Sequence, residues 1–313
     1  MHAWEAIEQS LIFIEEHLAE EILTEKLANT VGLSPFYFQR LFKRLVNKSV
    51  QEYVKLRRLA KVIENLNNSE QRILDVALDY GFSSHANFTR AFKETYGITP
   101  EDYRRDLPML NTFDKPEVSM NYTLIDEDVP LVAGEIVLEI QRKVLATPEG
   151  YLGLETAVRI SEQIPVGEST GIDVPGQLWK RYHAEKALLM ANLNTSVEMG
   201  MSHTEDTAQG LFTYFVGGLA QNIPSQLQDG FVKKELPAGE YIVCKIEAEK
   251  FEDLVTIALD QASKYLFSTW LPHHNLTTEP FSAEKYYRDT EGMAYMEIWI
   301  KPLPVASNDE GGN

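Results

Sequence analysis

The sequence predicts a multidomain protein: an all-α double helix-turn-helix domain followed by an α+β domain. Two observations predict it, an internal repeat of helical periodicity in the first hundred or so residues and alternating, β-rich segments in the rest. A chain of 313 residues is long enough for two cores. We expect the helical domain over 1–107, a linker with one or two extra strands over 108–140, the α+β domain over 141–305 and a disordered tail over 306–313.

The repeat relates VGLSPFYFQRLFKRLVNKSVQEY at 31–53 to YGFSSHANFTRAFKETYGITPEDY at 80–103. The matched pairs are Gly32 and Gly81, Phe38 and Phe88, Arg40 and Arg90, Phe42 and Phe92, Lys43 and Lys93, and Tyr53 and Tyr103. A repeat of this length indicates two copies of one supersecondary unit.

Each copy is predicted to fold as a helix, a tight turn and a second helix. Gly32 and Gly81 can adopt positive φ, which allows the sharp turn. We expect Leu33 and Phe82 to dock in the angle between the helices, and Thr24 to cap the first helix of the first copy.

The second helix of each copy has an apolar face and an outer face of unusual composition. The inward residues are Phe38, Leu41, Phe42 and Leu45, then Phe88, Ala91, Phe92 and Tyr96. The outer residues are Phe36, Tyr37, Gln39, Arg40, Lys43 and Arg44, then His85, Ala86, Asn87, Thr89, Arg90 and Lys93. Arginine can read guanine, asparagine and glutamine can read adenine, apolar groups can touch the thymine methyl, and lysine suits phosphate. An ordinary bundle helix would carry Glu/Lys pairs there, and both copies lack them, so we predict binding to double-stranded DNA.

Charge is unevenly distributed along the chain. The net charge is −18, of which residues 1–108 carry −2 and residues 109–313 carry −16. Within 34–58 the basic residues are Arg40, Lys43, Arg44, Lys48, Lys55, Arg57 and Arg58, against the single acid Glu52. Such a run can neutralise phosphates, although a solvated helix face is the simpler alternative for a charge run by itself.

Both copies end in a capping sequence. Ser49-x-x-Glu52 is expected to begin a helix from Val50 to about Leu66, and Thr99-Pro100-Glu101-Asp102 a short final one. The 50–66 helix would be a rigid connector that places the two reading helices about 34 Å apart, in successive major grooves.

These stretches resemble the DNA-binding domain of the AraC/XylS family of transcription regulators over residues 4–107. The resemblance rests on LANTVGLSPFYFQRLFK and ILDVALDYGFSSHANFTRAFKETYGITPEDYRR. It implies that base contacts come from Phe36, Gln39 and Arg40, then His85, Asn87, Thr89 and Arg90. The family most often places this domain last, whereas here it comes first. His85 and Ala86 depart from the glutamines of one group of relatives, so the target sequence does not transfer.

The second domain shows a strand–helix–strand–strand order given twice, which fits an α+β domain of two similar halves. The strand segments are YLGLETAVRI, SVEMGMSH, LFTYFVGGLA, EYIVCKIEAE and MAYMEIWI, and the helices lie at about 176–190 and 251–267. Before them, Met120, Tyr122 and Leu124, and then Val132, Ile136 and Leu138, alternate as strands do.

This order resembles the GyrI-like effector-binding domain over roughly 141–304. The matching phrases are GLETAVRI before the QLWKRY helix, TYFVGGLA, LPAGEYIVCKIEA, STWLP and MEIWIKPLP. The resemblance implies a groove for amphipathic, often cationic, small molecules, with a glutamate from the last strand in it. By position that glutamate is Glu297, and the aromatic lining is Trp270, Tyr214, Tyr286 and Trp179.

The neighbours of Glu297 are consistent with a cation site. Glu297 lies in the apolar strand MEIWI, where an unpaired carboxylate is costly, and a cation stacked on an aromatic ring would relieve that cost. Alternation puts Tyr295 and Trp299 on its face. The alternative is a glutamate at the rim that faces water.

Other site classes have little support. No cofactor or metal site is predicted, because the histidines lack ligand spacing and His273-His274 has the character of a solvated turn. The lone Cys244 is expected to be a small buried residue. The chain has no apolar run that could span a membrane and no signal-peptide pattern. A single cysteine cannot form an intramolecular disulfide, so we expect a cytoplasmic location.

The predicted function is therefore regulation of transcription, not enzyme catalysis. A small effector would bind the acidic second domain and change DNA affinity or contact with RNA polymerase. The alternative is a hydrolase of strained, cyclopropane-bearing molecules, as some GyrI-like domains are, with Glu297 and either Tyr286 or Tyr214. A sink or adaptor for a protein partner is a third option.

Overall fold

The computed structural model describes residues 3–66, 71–134, 136–162, 168–204, 210–224, 226–288 and 294–305. The chain forms two compact units. The first contains Met1–Tyr122 and Glu168–Asp173, and the second contains Thr123–Gly167 and Val174–Asn313. The tail expected at 306–313 lies outside the described residues.

The first unit is helical, as predicted. Its helices are α1 Ala3–Glu16, α2 Thr24–Thr30, α3 Pro35–Val46, α4 Val50–Leu66, α5 Ile73–Asp79, α6 His85–Tyr96 and α7 Pro100–Asp106. Gly32 and Gly81 have φ of +70° and +76°, so both turns use the conformation that glycine permits. Leu33 and Phe82 pack in their respective cores.

Helix α4 takes part in two hydrophobic cores. Its N-terminal half, through Leu56, packs with α1–α3. Its C-terminal half, from Leu59, packs with α5–α7. Each core contains one predicted reading helix, α3 in the first and α6 in the second, so the connector is an integral part of both helix-turn-helix units.

Side-chain caps define four of the helix starts in the first unit. The hydroxyls of Ser34, Ser49, Ser84 and Thr99 accept backbone N–H bonds from Tyr37, Glu52, Asn87 and Asp102. The prediction for Thr24 is wrong, because Thr24 is already helical and Leu23 is the N-cap, without a side-chain hydrogen bond.

The segment after α7 is more than a linker. Phe113, Val118 and Met120 are buried, and residues Val118–Tyr122 form a 3₁₀ turn. Strand β1 (Leu110–Asn111) pairs with β5 (Gly171–Ile172), which comes from much later in the chain. The alternation around Met120 therefore does not mark a strand, because this segment forms the 3₁₀ turn and its Val118 packs in the first core.

The second unit is built on one antiparallel sheet with the order β2-β3-β9-β12-β11-β6-β7-β4-β8 in its described residues. The strands are β2 Leu131–Ala133, β3 Ile136–Leu145, β4 Glu149–Arg159, β6 Leu193–His203, β7 Leu211–Ala220, β8 Val232–Leu236, β9 Gly239–Ala248, β11 Phe281–Arg288 and β12 Ala294–Ile300. A separate pair joins β10 Leu276–Thr278 to β13 Pro302–Pro304. Strands β2 and β3 are the extra strands expected before residue 141, and β3 continues past that boundary.

Two helical elements complete the predicted halves. In the first half, α8 (Val174–Glu185) lies between β4 and β6 and continues into a 3₁₀ turn, Lys186–Asn192. In the second half, between β9 and β11, the helical segments follow one another as Phe251–Asp253, Leu254–Ala258, Leu259–Tyr265, Leu266–Trp270 and Leu271–His273. The segments Leu254–Ala258 and Leu266–Trp270 are π-helical, and the run ends six residues beyond the predicted Phe267.

Alternation along the central strands separates two faces of the sheet. Helix α8 packs on the face that carries Tyr214 and Val216 of β7. Cross-strand pairing continues this face from Tyr214 through Ser202, and from Gly200 to Glu284. The opposite face carries Met199, Phe215, Tyr241 and Trp299. We call these the helix face and the outer face.

Candidate functional site

Helix α3 presents its predicted outer residues to solvent. Phe36 and Tyr37 are 73% and 51% exposed, which is unusual for large aromatic side chains. Gln39, Arg40, Lys43 and Arg44 are also exposed, while the inward stripe is buried. The Ser34 cap and Pro35 at the first turn fix where the helix begins and thereby which residues face outward.

Helix α6 presents a more polar surface. His85, Asn87, Arg90 and Lys93 are exposed. The Asn87 amide donates to Ser83 Oγ at 2.7 Å, and His85 Nε2 lies 3.1 Å from Glu101 Oε1 of α7. Thr89 differs from the prediction, because it is half-buried and its hydroxyl oxygen is enclosed, so this hydroxyl is not offered to a base.

The basic run of 34–58 does not form a single surface. Arg57 is 7% exposed, and its guanidinium donates to both Glu15 oxygens and to the carbonyl of Phe113. Arg58 donates to backbone carbonyls inside the unit. Both arginines therefore stabilise the fold, and the expectation that they face phosphate is wrong.

Two lysines of the same run have carboxylate partners. Lys48 Nζ lies 2.6 Å from Glu168, and Lys55 Nζ lies 2.9 Å from Glu52. The basic residues of the run that remain at the α3 surface are Arg40, Lys43 and Arg44, which follow one face of the helix. The candidate DNA interface thus contains fewer basic residues than the sequence suggested, and these residues lie on the predicted reading helices.

In the second unit, three of the four predicted aromatic residues meet around a glutamate that the sequence analysis did not select. Glu284 Oε2 accepts hydrogen bonds from the hydroxyls of Tyr214 at 3.2 Å and Tyr286 at 3.0 Å. The indole N–H of Trp179 donates to the Tyr214 hydroxyl at 3.1 Å. The ring of Trp179 meets that of Tyr286 edge-on, with centroids 5.2 Å apart. We call Glu284, Trp179, Tyr214 and Tyr286 the aromatic cluster.

Gly200 makes the space for this cluster. It pairs with Glu284 across β6 and β11. A Cβ atom at residue 200 would overlap the Tyr214 hydroxyl oxygen and lie 3.2 Å from Glu284 Oε2. A side chain at this position would therefore displace the groups that surround the carboxylate.

A second carboxylate, Glu198, lies beside the cluster with two basic partners of its own. Glu198 Oε1 is 2.7 Å from Lys186 Nζ, and Oε2 is 3.0 Å from His183 Nε2. Burial by itself would raise the pKa of Glu198, but the hydrogen bonds from His183 and Lys186 outweigh it and lower the pKa to about 2. Glu198 is thus ionised and locally neutralised.

Glu297 lies on the outer face and has an internal cation. Its carboxylate contacts Lys143 Nζ at 2.6 Å and accepts from Tyr287 at 2.9 Å and from the Trp299 indole at 2.8 Å. The predicted side of the strand is confirmed by the Trp299 contact. The premise of an unpaired carboxylate that needs an external cation is wrong, because Lys143 supplies the charge.

Trp270 is also placed differently from the prediction. It is fully buried, its indole N–H donates to the carbonyl of Ile125 at 3.0 Å, and its ring stacks on His274. Tyr265, one turn earlier, donates to the carbonyl of Thr123. These contacts hold the first residues of the second unit against the helical segments of 251–273, so Trp270 is a core residue.

Glu284 was not predicted as a site residue because strand β11 was not predicted from the sequence. Strand β11 carries charged residues on both faces, Glu284 on the helix face and Lys285 on the outer face, where Lys285 is paired with Glu149 at 2.9 Å. Alternation of apolar and polar residues is therefore absent. The signal that remains is Glu284-x-Tyr286, which puts an acid and an aromatic ring on one face.

The described residues also bear on metal sites and membrane spans. Within them, no three or more His, Cys, Asp or Glu side chains are grouped to hold a metal ion. None of the helices in this part of the chain combines the length and hydropathy needed to cross a bilayer. Cys244 is buried, and burial raises the pKa of its thiol to about 12.

Family models match both units. Residues 27–106 match the model of a helix-turn-helix domain. Residues 153–301 match the model of an integron-associated effector binding protein, Cass2. The first match covers both turns and both reading helices, and the second covers the aromatic cluster.

Curated relatives match either about a third of this chain or most of it. The uncharacterized HTH-type transcriptional regulator YbfP of Bacillus subtilis is 40% identical over 104 residues, which are 33% of this chain and 35% of that protein. The regulatory protein SoxS of Salmonella typhimurium is 35% identical over 100 residues, which are 32% of this chain and 94% of that protein. The transcriptional regulator Rob of the same organism is 27% identical over 287 residues, 90% of each chain.

Both turns and both predicted reading helices lie within the matched family model, and the match to SoxS shows the family of this chain. The chain belongs to the AraC/XylS family of transcription regulators, with its DNA-binding domain first and a GyrI-like effector-binding domain after it.

Proposed function

We propose that the effector of this regulator is a lipophilic cation that binds at the aromatic cluster. The observation that carries the proposal is the convergence of Trp179, Tyr214 and Tyr286 on Glu284. Aromatic faces and a carboxylate together attract a delocalised cation through cation–π and Coulomb terms. Glu284, Trp179 and Tyr286 are each partly exposed, so a ligand can reach them from solvent.

The location of the cluster supports the same proposal. It joins α8 of the first half to β7, and both to β11 of the second half. A ligand that pushes the rings apart would shift α8 relative to the sheet. The net charge of −16 over residues 109–313 favours cations around this part of the protein at long range, although salt screens that effect.

For the DNA-binding domain, we propose that α3 and α6 enter successive major grooves of one duplex. Phe36, Gln39 and Arg40 would contact bases from α3, and His85, Asn87 and Arg90 from α6. The other exposed residues, Tyr37, Lys43, Arg44 and Lys93, would contact the backbone or flank the bases. Effector binding would then change DNA affinity or contact with RNA polymerase.

The test compares a charged probe with a neutral one. Calorimetric titration of the full chain with methyltriphenylphosphonium and with neutral triphenylphosphine oxide measures the preference for charge. We expect Glu284→Gln to weaken binding of the cation roughly tenfold or more and to leave the oxide nearly unchanged. Glu297→Gln is the matched control and should bind the cation as wild type does. Equal cation affinity in Glu284→Gln, or a loss confined to Glu297→Gln, contradicts the proposal.

Hydrolysis of strained small molecules is the second candidate function. The structure does not bring Glu297 together with Tyr286 or Tyr214, but both tyrosines contact Glu284, which gives an acid–base pair on the helix face. Mass spectrometry of a cyclopropane-bearing electrophile incubated with the protein distinguishes the two functions. Turnover that stops in Glu284→Gln favours the hydrolase, and saturable binding without turnover favours the sensor.

A further inference from the structure

Arg58 lies at the junction of the two helix-turn-helix units. It is a residue of α4, between Leu56, which packs in the first core, and Leu59, which packs in the second. The side chain of Arg58 belongs to neither core. Its position on the shared helix allows it to contact both units at once.

The guanidinium of Arg58 makes hydrogen bonds to both units. Nε donates to the carbonyl of Leu18 at 2.8 Å, and Nη2 donates to the carbonyl of Glu20 at 2.6 Å. These carbonyls belong to the turn that follows α1, on the side of the first helix-turn-helix unit. Nη1 donates to the carbonyl of Gly81 at 3.0 Å, in the turn of the second helix-turn-helix unit.

The turn at Gly81 is shaped around this side chain. A Cβ atom at Gly81 would lie 2.8 Å from two guanidinium atoms of Arg58 and 3.2 Å from the carbonyl of Ala19. A Cβ atom at Gly32, the equivalent turn of the first unit, would meet nothing within 4 Å. The two turns share a backbone conformation, but only Gly81 is also tightly packed.

We infer that Arg58 is a positioning residue that sets the orientation of α6 relative to α3 and thereby the spacing of the two half-sites read on DNA. Each predicted reading helix is held by its own core, and α4 runs through both cores as a single helix. The three carbonyl contacts of Arg58 add a cross-link beside α4 at the point where bending would change the angle between the units. A planar fork with several donors suits this task, and a lysine cannot reproduce it.

This inference rests on the proposed placement of α3 and α6 in successive grooves, and its test separates the two. The probe is a duplex enriched by the wild-type protein from a random DNA pool. Two derivatives are needed, one with the α6 half-site scrambled and one with two base pairs inserted between the half-sites. Binding by Arg58→Ala and Arg58→Lys is measured by fluorescence anisotropy at low salt, and Lys61→Ala on the same helix is the control.

We expect Arg58→Ala to lose tenfold or more on the intact duplex and to match wild type on the scrambled one. The penalty of the inserted base pairs should be several-fold smaller in Arg58→Ala, because its units adjust more freely. The affinity of Arg58→Lys for the intact duplex should lie between those of wild type and Arg58→Ala. This variant provides the test if Arg58→Ala does not fold.

Unchanged affinity and unchanged spacing preference in both Arg58 variants would overturn the inference. An equal loss on the intact and scrambled duplexes would do so too, since it indicates general destabilisation. If instead Arg40→Ala and Arg90→Ala bind the intact duplex as wild type does, the proposed groove placement fails, whatever the Arg58 variants show.

Discussion

The indole N–H of Trp179 donates to the hydroxyl of Tyr214, and the two side chains come from different elements, α8 and β7. The same hydroxyl donates to Glu284 of the other half. One hydroxyl therefore links the helix, the first half of the sheet and the second half. Any ligand that competes for Glu284 must alter this linkage.

Gly200→Ala should damage the aromatic cluster. The added methyl group overlaps the Tyr214 hydroxyl oxygen, so we expect cation affinity to fall at least tenfold and stability to fall by about 1–3 kcal/mol from overpacking. Calorimetric titration with methyltriphenylphosphonium and thermal unfolding measure both effects. Gly150→Ala is a control in the same sheet, because its Cβ atom would make ordinary contacts, with Ile223 at 3.4 Å and Lys233 at 3.7 Å. Normal binding by Gly200→Ala would show that the cluster is not the ligand site.

Arg40→Ala and Arg90→Ala should each weaken binding to the selected duplex by about 1–3 kcal/mol, the range expected for a lost base contact. Lys43→Ala should weaken all sequences alike and flatten the salt dependence, because a phosphate contact carries no sequence information. Anisotropy titrations at several salt concentrations separate the two classes. Wild-type discrimination in both arginine variants would contradict the assignment of the reading helices.

Stability should fall in acid through Glu198. Its pKa is lowered to about 2 in the folded state, so its contribution is present above its ordinary value near 4.5 and is lost as the pH falls towards 2. The contribution is at most about 3 kcal/mol. Urea unfolding of wild type and Glu198→Gln between pH 2 and 7 tests this, and we expect the two stabilities to converge at the acid end. A difference that does not vary with pH would refute it.

Lys48→Met should loosen the segment 168–173. The Glu168 side chain is 4% exposed and loses its cation, which is costly for a buried carboxylate. Hydrogen–deuterium exchange of the peptide that covers β5 should accelerate. Lys55→Met removes an exposed pair with Glu52 and should leave that exchange unchanged. Equal exchange in Lys48→Met and wild type would show that the ion pair does not hold the strand.

The first domain was largely predictable because its two copies constrain each other. Gly32 and Gly81, the buried stripes and the caps at Ser49 and Thr99 follow from local chemistry. The inward direction of Arg57 and Arg58 does not follow from local chemistry. Charge alone does not reveal that Arg57 binds Glu15 or that Arg58 binds backbone carbonyls.

The candidate effector site was less predictable, because it depends on pairing across distant strands. The sequence indicates which face of β12 carries Glu297. It does not indicate that Lys143 of β3 contacts Glu297 across strand β9, which lies between them in the sheet. Nor does it indicate that the indole of Trp270 is taken up by a carbonyl at Ile125, 145 residues away. Such contacts are set by sheet order, which no local pattern encodes.

The strand β5 lies in the sequence of the second unit and folds with the first. The polypeptide consequently passes between the units at three places: after Tyr122, before Glu168 and after Asp173. A cut at residue 141 would separate β5 from its partner β1, and a cut at residue 108 would remove both strands from the helical unit. Chimeras that exchange the sensor between regulators must therefore keep residues 168–173 with their native helices, and a simple end-to-end fusion of the halves is not equivalent to the natural protein.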